Sequence, residues 1–205
     1  MPITVLHADE TLIVIDKPAG MLAVPGLGEA GRDNAAVRLQ HLFADALVVH
    51  RLDMATSGLL LFARGAAMQR LLSAAFSERR VHKRYVAIVQ GLLMPDAGEI
   101  SAPLAADWPN RPRQQVDTLR GKPSLTRWRV LSRDGANTRV ELEPVTGRSH
   151  QLRVHLLSLG HPICGDALYG PQPTPFERLL LHASELSFAH PLTGTPLRFA
   201  SPPSF

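Results

Sequence analysis

A cluster of charged residues runs directly into an apolar segment in the stretch HRLDMATSGLLLFA, residues 50–63. Its apolar end, residues 59–63, has the length and composition of a strand buried on both faces. Any fold of this chain must therefore place Asp53 at the threshold of its core. A carboxylate in that position needs a partner, because burial alone raises its pKa and removes its charge. Two interpretations of Asp53 are open at this point, a structural ion pair and a group that performs chemistry.

Several other short segments have the composition or the alternation of β-strands. Residues 4–7 and 11–15 predict a hairpin, and residues 83–90 predict a further strand. Two more strands are predicted at residues 127–131 and 138–143, joined by a turn at Asp134-Gly135. Helical patterns are fewer. Asp33 is a candidate N-cap for a short helix, residues 66–80 carry a helical apolar stripe, and a third helix is predicted after Gly147. Strands that do not alternate regularly with helices predict an α+β fold with a mixed or antiparallel sheet. Residues 94–123 contain five prolines and predict an irregular, basic excursion.

The length and composition predict a single domain over residues 1–205. The chain is 45% hydrophobic, which is ordinary for a globular protein with a core. It has no apolar run of membrane-spanning length and no secretory signal pattern at its beginning. Its one cysteine, Cys164, excludes an internal disulfide and a multi-cysteine zinc site. We therefore expect a cytoplasmic, monomeric protein that does not associate with membranes.

The formal net charge is +4, and arginine supplies most of the 22 basic residues. Arginine suits bidentate contacts to phosphate and stacking on bases, so the charge favours a nucleic-acid partner. The charge balance alone favours it only weakly, because many of these arginines could simply form a solvated face.

A second polar cluster, residues 146–155, is rich in hydrogen-bond donors. If Leu152, Leu156 and Leu159 face the core of a helix, Arg153 lies at the edge of that stripe and could reach a carboxylate on another element. The alternative is phosphate binding at the N-terminus of the helix. His150 and His155 are five positions apart, and no third ligand is evident. Both points argue against a zinc site.

Two aromatic residues are each flanked by basic side chains. Tyr85 follows Lys83 and Arg84, and Trp108 lies in a segment that also contains Arg111. Mixtures of aromatic side chains and arginine are typical of surfaces that read single-stranded RNA. For both aromatic residues, packing against the core is the alternative interpretation.

Three segments, in this order along the chain, resemble the core motifs of the RluA-type pseudouridine synthases. They are HRLDMATSGLLLFA, KRYVAIVQG (residues 83–91) and TGRSHQLRVHLLSLGHPICGDALYG (residues 146–170). The segments DKPAGMLAVPG (residues 16–26) and LLLHASELSFAHPLTG (residues 179–194) extend the resemblance over essentially the whole chain.

This resemblance implies a catalytic core with a long, bent, mixed and largely antiparallel sheet flanked by helices and loops. It also implies isomerisation of uridine to pseudouridine in RNA without a cofactor or metal. By position, Asp53 matches the catalytic aspartate, Arg153 its basic partner, Tyr85 the active-site tyrosine, and Arg51 the arginine that helps displace the target nucleotide. Further RNA contacts are predicted for Lys83, Trp108, Arg111, Arg113, Arg148 and His150.

The segment ADWPNRPRQQV, residues 106–116, is similar to the loop of a small family member that acts on both 23S rRNA and the anticodon stem-loop of tRNA. The chain also lacks the S4-type RNA-binding extension of several longer relatives. The resemblance therefore implies both RNAs as substrates, or one of them alone.

Other functional classes fit the sequence less well. A nucleoside glycosidase would also use an aspartate at C1′, but it would release free uracil. A zinc deaminase needs more cysteines, and a methyltransferase needs a glycine-rich cofactor loop. A non-catalytic RNA-binding protein would explain the charge, but an acid beside the cleft would repel phosphate.

Overall fold

The computed structural model describes residues 3–205, apart from the side chain of Ala30. Within that range the strands are β1 (Thr4–Ala8), β2 (Leu12–Lys17), β3 (Ala46–Val48), β4 (Ser57–Arg64), β5 (His82–Gln90), β6 (Ala97–Ser101), β7 (Leu104–Ala106), β8 (Gln114–Val116), β9 (Leu125–Arg133), β10 (Asn137–Pro144), β11 (Leu181–Ala189) and β12 (Pro196–Ala200). The helices are α1 (Ala35–Gln40), α2 (Gly65–Ser77) and α3 (Gln151–Ser158). This content confirms the α+β class.

The chain divides into two compact units, each described by itself below. The first contains residues 1–83 and 182–204, and the second contains residues 84–181 and Phe205. The single catalytic domain expected from the sequence stays a prediction.

The sheet of the first unit is built around β4. Strand β2 pairs with β4 along its length, and β1 continues this antiparallel arrangement on the far side of β2. On the other edge of β4, β3 pairs antiparallel with its end and β11 pairs parallel with its beginning. Strand β12 then pairs antiparallel with β11. The parallel pair of β4 and β11 makes the sheet mixed, as expected.

Strand β4 is the centre of the core in the first unit. Every residue from Ser57 to Ala63 is buried, so the predicted buried strand is confirmed and is longer than residues 59–63. The apolar side chains of α2 pack on one face of this sheet, where Met68 and Leu72 join Leu59 and Leu61 in one cluster. The burial of this strand fixes the point at which the Asp53 loop ends.

The sheet of the second unit is antiparallel, in the order β5-β10-β9-β6. Strands β7 and β8 form a separate two-stranded hairpin. The predicted strands at residues 83–90, 127–131 and 138–143 are therefore confirmed. Residues 94–123 are more regular than the sequence predicts, because β6, β7 and β8 all lie within them. Their prolines fall outside these three strands, where no ladder hydrogen bond is lost.

Two helical predictions need correction. The N-cap of α1 is Asn34, whose side chain accepts the Val37 N–H, whereas Asp33 pairs with the Arg38 side chain. Helix α3 is buried from Gln151 to Leu156 rather than along one stripe. Arg153 is consequently inside the unit rather than at the edge of an apolar face.

None of the helices in the described part of the chain has the length and apolar character needed to cross a membrane.

Candidate active site

The loop that carries Asp53 joins β3 to β4 and is held by its own backbone. The Asp53 carbonyl accepts the Thr56 N–H at 3.1 Å, which closes a turn directly before β4. The next carbonyl, that of Met54, accepts the Gly20 N–H at 2.9 Å and a hydrogen bond from Lys17 Nζ at 3.2 Å. The Asp53 side chain is half-buried. Because the peptide that follows Asp53 is held in place, the Asp53 carboxylate can reach only a limited set of positions.

Lys17 is fully buried and supports the loop that carries Asp53, a role that the sequence did not predict. Besides Met54, its ammonium donates to the carbonyl oxygens of Pro18 and Met21, both at 2.8 Å. Three carbonyls match the three donors of an ammonium group, which offsets the loss of its hydration. Lys17 thereby ties the loop after β2 to the loop that carries Asp53.

The start of β4 requires a glycine. Gly58 has φ +111°, and a Cβ atom at this position would lie 2.3 Å from the carbonyl oxygen of Ala183 on β11. The TSG sequence after Asp53 therefore allows β4 and β11 to approach closely where they pair in parallel.

A buried chain of hydrogen bonds crosses the same junction. The Ser57 hydroxyl lies 2.9 Å from Nδ1 of His182, and Nε2 of His182 lies 3.1 Å from the carbonyl oxygen of Ser201. The Ser201 hydroxyl in turn donates to Asp16 at 2.6 Å. Because a carbonyl can only accept, Nε2 of His182 carries a proton, and in the neutral ring Nδ1 accepts from Ser57. This chain links β2, β4, β11 and the segment that follows β12.

His50, at the start of the same motif, supports the fold. Its Nε2 accepts the Leu61 N–H at 3.0 Å, and its ring stacks on Phe76 with a centroid distance of 4.4 Å. Burial, with a smaller contribution from the positive charge of Lys83, lowers the pKa of His50 to about 3. The imidazole is therefore neutral at physiological pH and keeps its accepting nitrogen.

Two of the predicted RNA-binding residues belong to the first unit. Arg51 is exposed, as expected for a side chain that would enter RNA. Lys83 is half-buried, and burial lowers its pKa. It lies close enough to His50 to affect the pKa of that residue.

In the second unit, Arg153 forms a buried ion pair with Asp166. Its Nε and Nη2 atoms each lie 2.7 Å from one carboxylate oxygen, and the two side chains are 4% and 0% exposed. The same carboxylate also accepts the N–H groups of Leu168 and Tyr169, at 2.9 and 3.1 Å. Asp166 therefore fixes both the orientation of Arg153 and the turn that follows it.

The beginning of α3 is clamped by Gln151. Its side-chain oxygen accepts from the Thr146 hydroxyl at 2.7 Å and the Arg148 N–H at 3.0 Å, and its amide donates to the Leu125 carbonyl at 2.9 Å. His155, one turn later, is fully buried between the Thr126 hydroxyl and the Ala102 carbonyl. These residues of the TGRSHQLRVH motif hold the helix in place, and burial lowers the pKa of His155.

The predicted RNA-binding residue His150 contacts Tyr169. His150 adopts φ +53° just before α3, and its Nδ1 lies 2.7 Å from the Tyr169 hydroxyl. The ring of Tyr169 is buried, with the Arg153 guanidinium 4.9 Å from its centroid. The motif thus brings His150 and Arg153 to one tyrosine that the sequence analysis did not single out.

The hairpin of β7 and β8 presents further predicted RNA contacts. At its tip, Trp108 is 67% exposed, and the Arg111 guanidinium lies 4.3 Å from the centre of its ring. Arg113 is exposed as well and lies 5.3 Å from the ring of Tyr169. Trp108 therefore does not cover an edge of the core, which was the alternative interpretation of this residue.

Tyr85 and Arg148 complete the predicted set. Tyr85 is half-buried on β5, opposite Leu142 of β10. Arg148 is exposed in the turn before α3, with its Nε 3.4 Å from the carbonyl oxygen of Pro123.

The structure groups the predicted residues by unit. Asp53, Arg51 and Lys83 belong to the first unit, and the other seven belong to the second. The pairing of Asp53 with Arg153 stays a prediction, as do the catalytic roles implied by the resemblance.

Among residues 3–205, no group of histidine, cysteine, aspartate and glutamate side chains could hold a metal ion. Burial raises the pKa of Cys164 to about 11, so its thiol is protonated at neutral pH and is a poor nucleophile.

Comparison with known proteins identifies the family. The family model described as RNA pseudouridylate synthase matches residues 11–158, which is more than half of the chain. The chain is 48% identical over 204 residues to the Dual-specificity RNA pseudouridine synthase RluA of Pasteurella multocida (strain Pm70), covering 98% of this chain and 93% of the relative. It is 50% identical over 191 residues to the protein of the same name from Vibrio cholerae serotype O1, covering 92% and 78%.

A solved structure agrees with this assignment. Human RNA Pseudouridylate Synthase Domain Containing 1 superposes with a TM-score of 0.81 at 28% identity, over 100% of this chain and 84% of the human one. The chain belongs to the RNA pseudouridylate synthase family.

Proposed function

We propose that this RNA pseudouridine synthase has dual specificity and isomerises uridine in both the anticodon stem-loop of tRNA and 23S rRNA. Relatives that share about half of its residues over more than nine-tenths of their own length are named as dual-specificity enzymes. The hairpin of β7 and β8 supports the proposal, because it exposes Trp108 beside Arg111. Such a pair can stack on an unpaired base in a loop of either RNA.

The reaction begins when the uridine leaves the base stack. Extrusion of a base costs a few kcal/mol and costs least in a loop. We assign Arg51 the role of occupying the vacated space, which its exposed position permits. Trp108 and Arg111 would contact the neighbouring nucleotides.

Asp53 then performs the chemical step. Three routes separate the base from the sugar: addition of the carboxylate to C1′, addition to C6 of uracil, or removal of the C2′ proton. Each route requires an ionised carboxylate in a site that excludes water. The observation that carries this assignment is the loop geometry, in which the peptide after Asp53 is held by Gly20 and by the buried Lys17.

Arg153 is assigned the role of keeping Asp53 ionised. An arginine has five N–H donors, and Asp166 takes two of them. The guanidinium of an arginine can bind more than one acceptor at a time. Tyr85 is assigned to contact the detached base, which is rotated and rejoined through C5 to C1′; C5 then loses its proton, and N1 ends protonated. The enzyme is proposed to act as a monomer in the cytoplasm, and light scattering during size-exclusion chromatography tests the oligomeric state.

Pseudouridine mapping tests the proposed substrates. Carbodiimide-dependent primer extension is applied to tRNA and 23S rRNA from a strain that lacks the gene and from the same strain complemented with it. We expect a pseudouridine in an anticodon stem-loop and another in 23S rRNA to disappear in the deletion strain and to return on complementation. Loss from only one class of RNA contradicts dual specificity. Release of free uracil from labelled RNA by the purified protein would instead indicate a glycosidase.

A further inference from the structure

Tyr169 lies at the meeting point of the helix that carries Arg153 and the hairpin that carries Trp108. Its hydroxyl accepts the Gln114 N–H from β8 at 2.7 Å. The same oxygen lies 2.7 Å from Nδ1 of His150, at the beginning of α3. A phenolic oxygen can accept from one group and donate to another, so both contacts can form together.

The ring of Tyr169 contacts the same two elements. It is buried in a cluster with Leu104 of β7 and Val154 of α3. The guanidinium groups of Arg153 and Arg113 lie 4.9 and 5.3 Å from its centroid. The tyrosine thus touches both strands of the hairpin, and its ring lies against the proposed active-site arginine.

Asp166 fixes Tyr169 in this place. One of its oxygens accepts the Tyr169 N–H, and both oxygens bind Arg153. His150, on the other side, is held in the left-handed backbone region that side chains other than glycine rarely adopt. The contacts among Tyr169, His150, Asp166 and Arg153 therefore set the distance between the hairpin and Arg153.

On the basis of the function proposed above, we propose that Tyr169 is a positioning residue that couples RNA recognition by the β7-β8 hairpin to the alignment of Arg153. The tip of the hairpin contacts RNA through Trp108 and Arg111. Its base is tied to Arg153 through the hydroxyl and ring of Tyr169. Without the hydroxyl, the tip would still bind bases, but its position relative to Arg153 would no longer be set.

A double-mutant cycle tests the coupling. Tyr169→Phe removes only the hydroxyl, and Trp108→Ala removes the stacking surface. We expect each to lower kcat/KM on an anticodon stem-loop about tenfold, as the loss of a hydrogen bond or a stacked base does. The double variant should lose about tenfold as well, because the two changes interrupt one coupled action. A loss near a hundredfold, or wild-type activity of Tyr169→Phe, overturns the coupling.

A matched variant separates coupling from simple destabilisation. Leu157 packs against the same cluster without contacting the Tyr169 hydroxyl through a hydrogen bond. Leu157→Ala should lower the melting temperature at least as much as Tyr169→Phe. The losses of kcat/KM caused by Leu157→Ala and by Trp108→Ala should be additive, as free energies, in the variant that carries both. If Leu157→Ala and Trp108→Ala were instead as non-additive as Tyr169→Phe and Trp108→Ala, the coupling would be a general response to lost packing. That result would overturn the proposal.

Hydrogen exchange provides a readout that does not depend on any RNA. In Tyr169→Phe, the amides of residues 106–116 should exchange faster than in the wild type, with Gln114 affected most, while the amides of β4 are unchanged. Unaltered protection of the Gln114 amide would contradict the positioning role even if both RNAs are substrates. Conversely, faster exchange in a protein that modifies only one RNA would refute dual specificity and leave the positioning role intact.

Discussion

Asp166 binds Arg153 through both of its carboxylate oxygens, at 2.7 Å each, in a part of the second unit that excludes solvent. Arg153 lies in the buried part of α3, Gln151 to Leu156, so its guanidinium has little freedom to turn. An arginine held in this way is oriented before substrate arrives.

Removing the charge of Asp166 should destabilise the fold. In Asp166→Asn, the amide can still accept the Leu168 and Tyr169 N–H groups, but Arg153 loses its anionic partner while buried. We expect the free energy of unfolding to fall by about 3 kcal/mol, measured by urea denaturation. Glu78→Gln, which breaks the exposed pair with Arg80, is the control and should cost less than about 0.5 kcal/mol. Equal losses in the two variants would contradict the structural role of the buried pair.

Gly58 and Gly135 should respond differently to the same substitution. Both have positive φ, at +111° and +88°, but a Cβ at Gly58 would meet Ala183 whereas one at Gly135 would meet open space. Gly135→Ala should therefore cost only about 1 kcal/mol of backbone strain. Gly58→Ala should cost about 3 kcal/mol or more, since β4 and β11 must move apart. Similar melting temperatures for the two variants would show that the close approach is not required.

The neutral state of His50 predicts a pH dependence of stability. Burial lowers its folded pKa to about 3, whereas an unfolded histidine titrates near its ordinary value of 6.5. Between these values the unfolded chain binds a proton that the folded chain does not, so the free energy of unfolding falls as pH falls from about 6.5 to about 3. One proton contributes a slope of at most about 1.4 kcal/mol per pH unit.

The variant His50→Gln isolates this contribution. Glutamine retains an oxygen that can accept the Leu61 N–H but does not titrate. Urea denaturation across that pH range should give a flatter dependence for His50→Gln than for the wild type. His41→Gln, at an exposed position, should follow the wild-type curve. If His50→Gln is as sensitive to acid as the wild type, other groups carry the effect.

Local patterns predicted those parts of the fold that depend on local sequence. Strand β4 follows from an apolar run, and the β1-β2 hairpin follows from two runs of β-forming residues split by a polar segment. The parallel pairing of β4 with β11 joins residues far apart in the chain, and no local pattern encodes it. The burial of α3 on all sides is likewise set by its neighbours, which is why a single apolar stripe was expected instead.

For the candidate site, the sequence singles out charged candidate residues more readily than the residues that hold them in place. Asp53 and Arg153 stand out as charges beside apolar segments, and the resemblance gives them roles. Asp166 and Tyr169 lie in a quoted motif, GDALYG, but nothing local shows that they meet Arg153. Lys17 could not be predicted as buried, because a buried lysine needs acceptors for its ammonium group, and the three backbone carbonyls that accept from it come together only in the folded chain.

The central claim is that the Asp53 carboxylate performs the isomerisation, and Asp53→Asn tests it most directly. Purified wild type, Asp53→Asn and the control Asp134→Asn, an exposed turn position, are incubated with an anticodon stem-loop and a 23S rRNA fragment. Pseudouridine is then quantified by thin-layer analysis of digested RNA, and RNA binding by fluorescence anisotropy. We predict no detectable pseudouridine with Asp53→Asn, RNA affinity within about threefold of the wild type, and full activity of Asp134→Asn. Pseudouridine formation by Asp53→Asn at the wild-type rate would contradict the account.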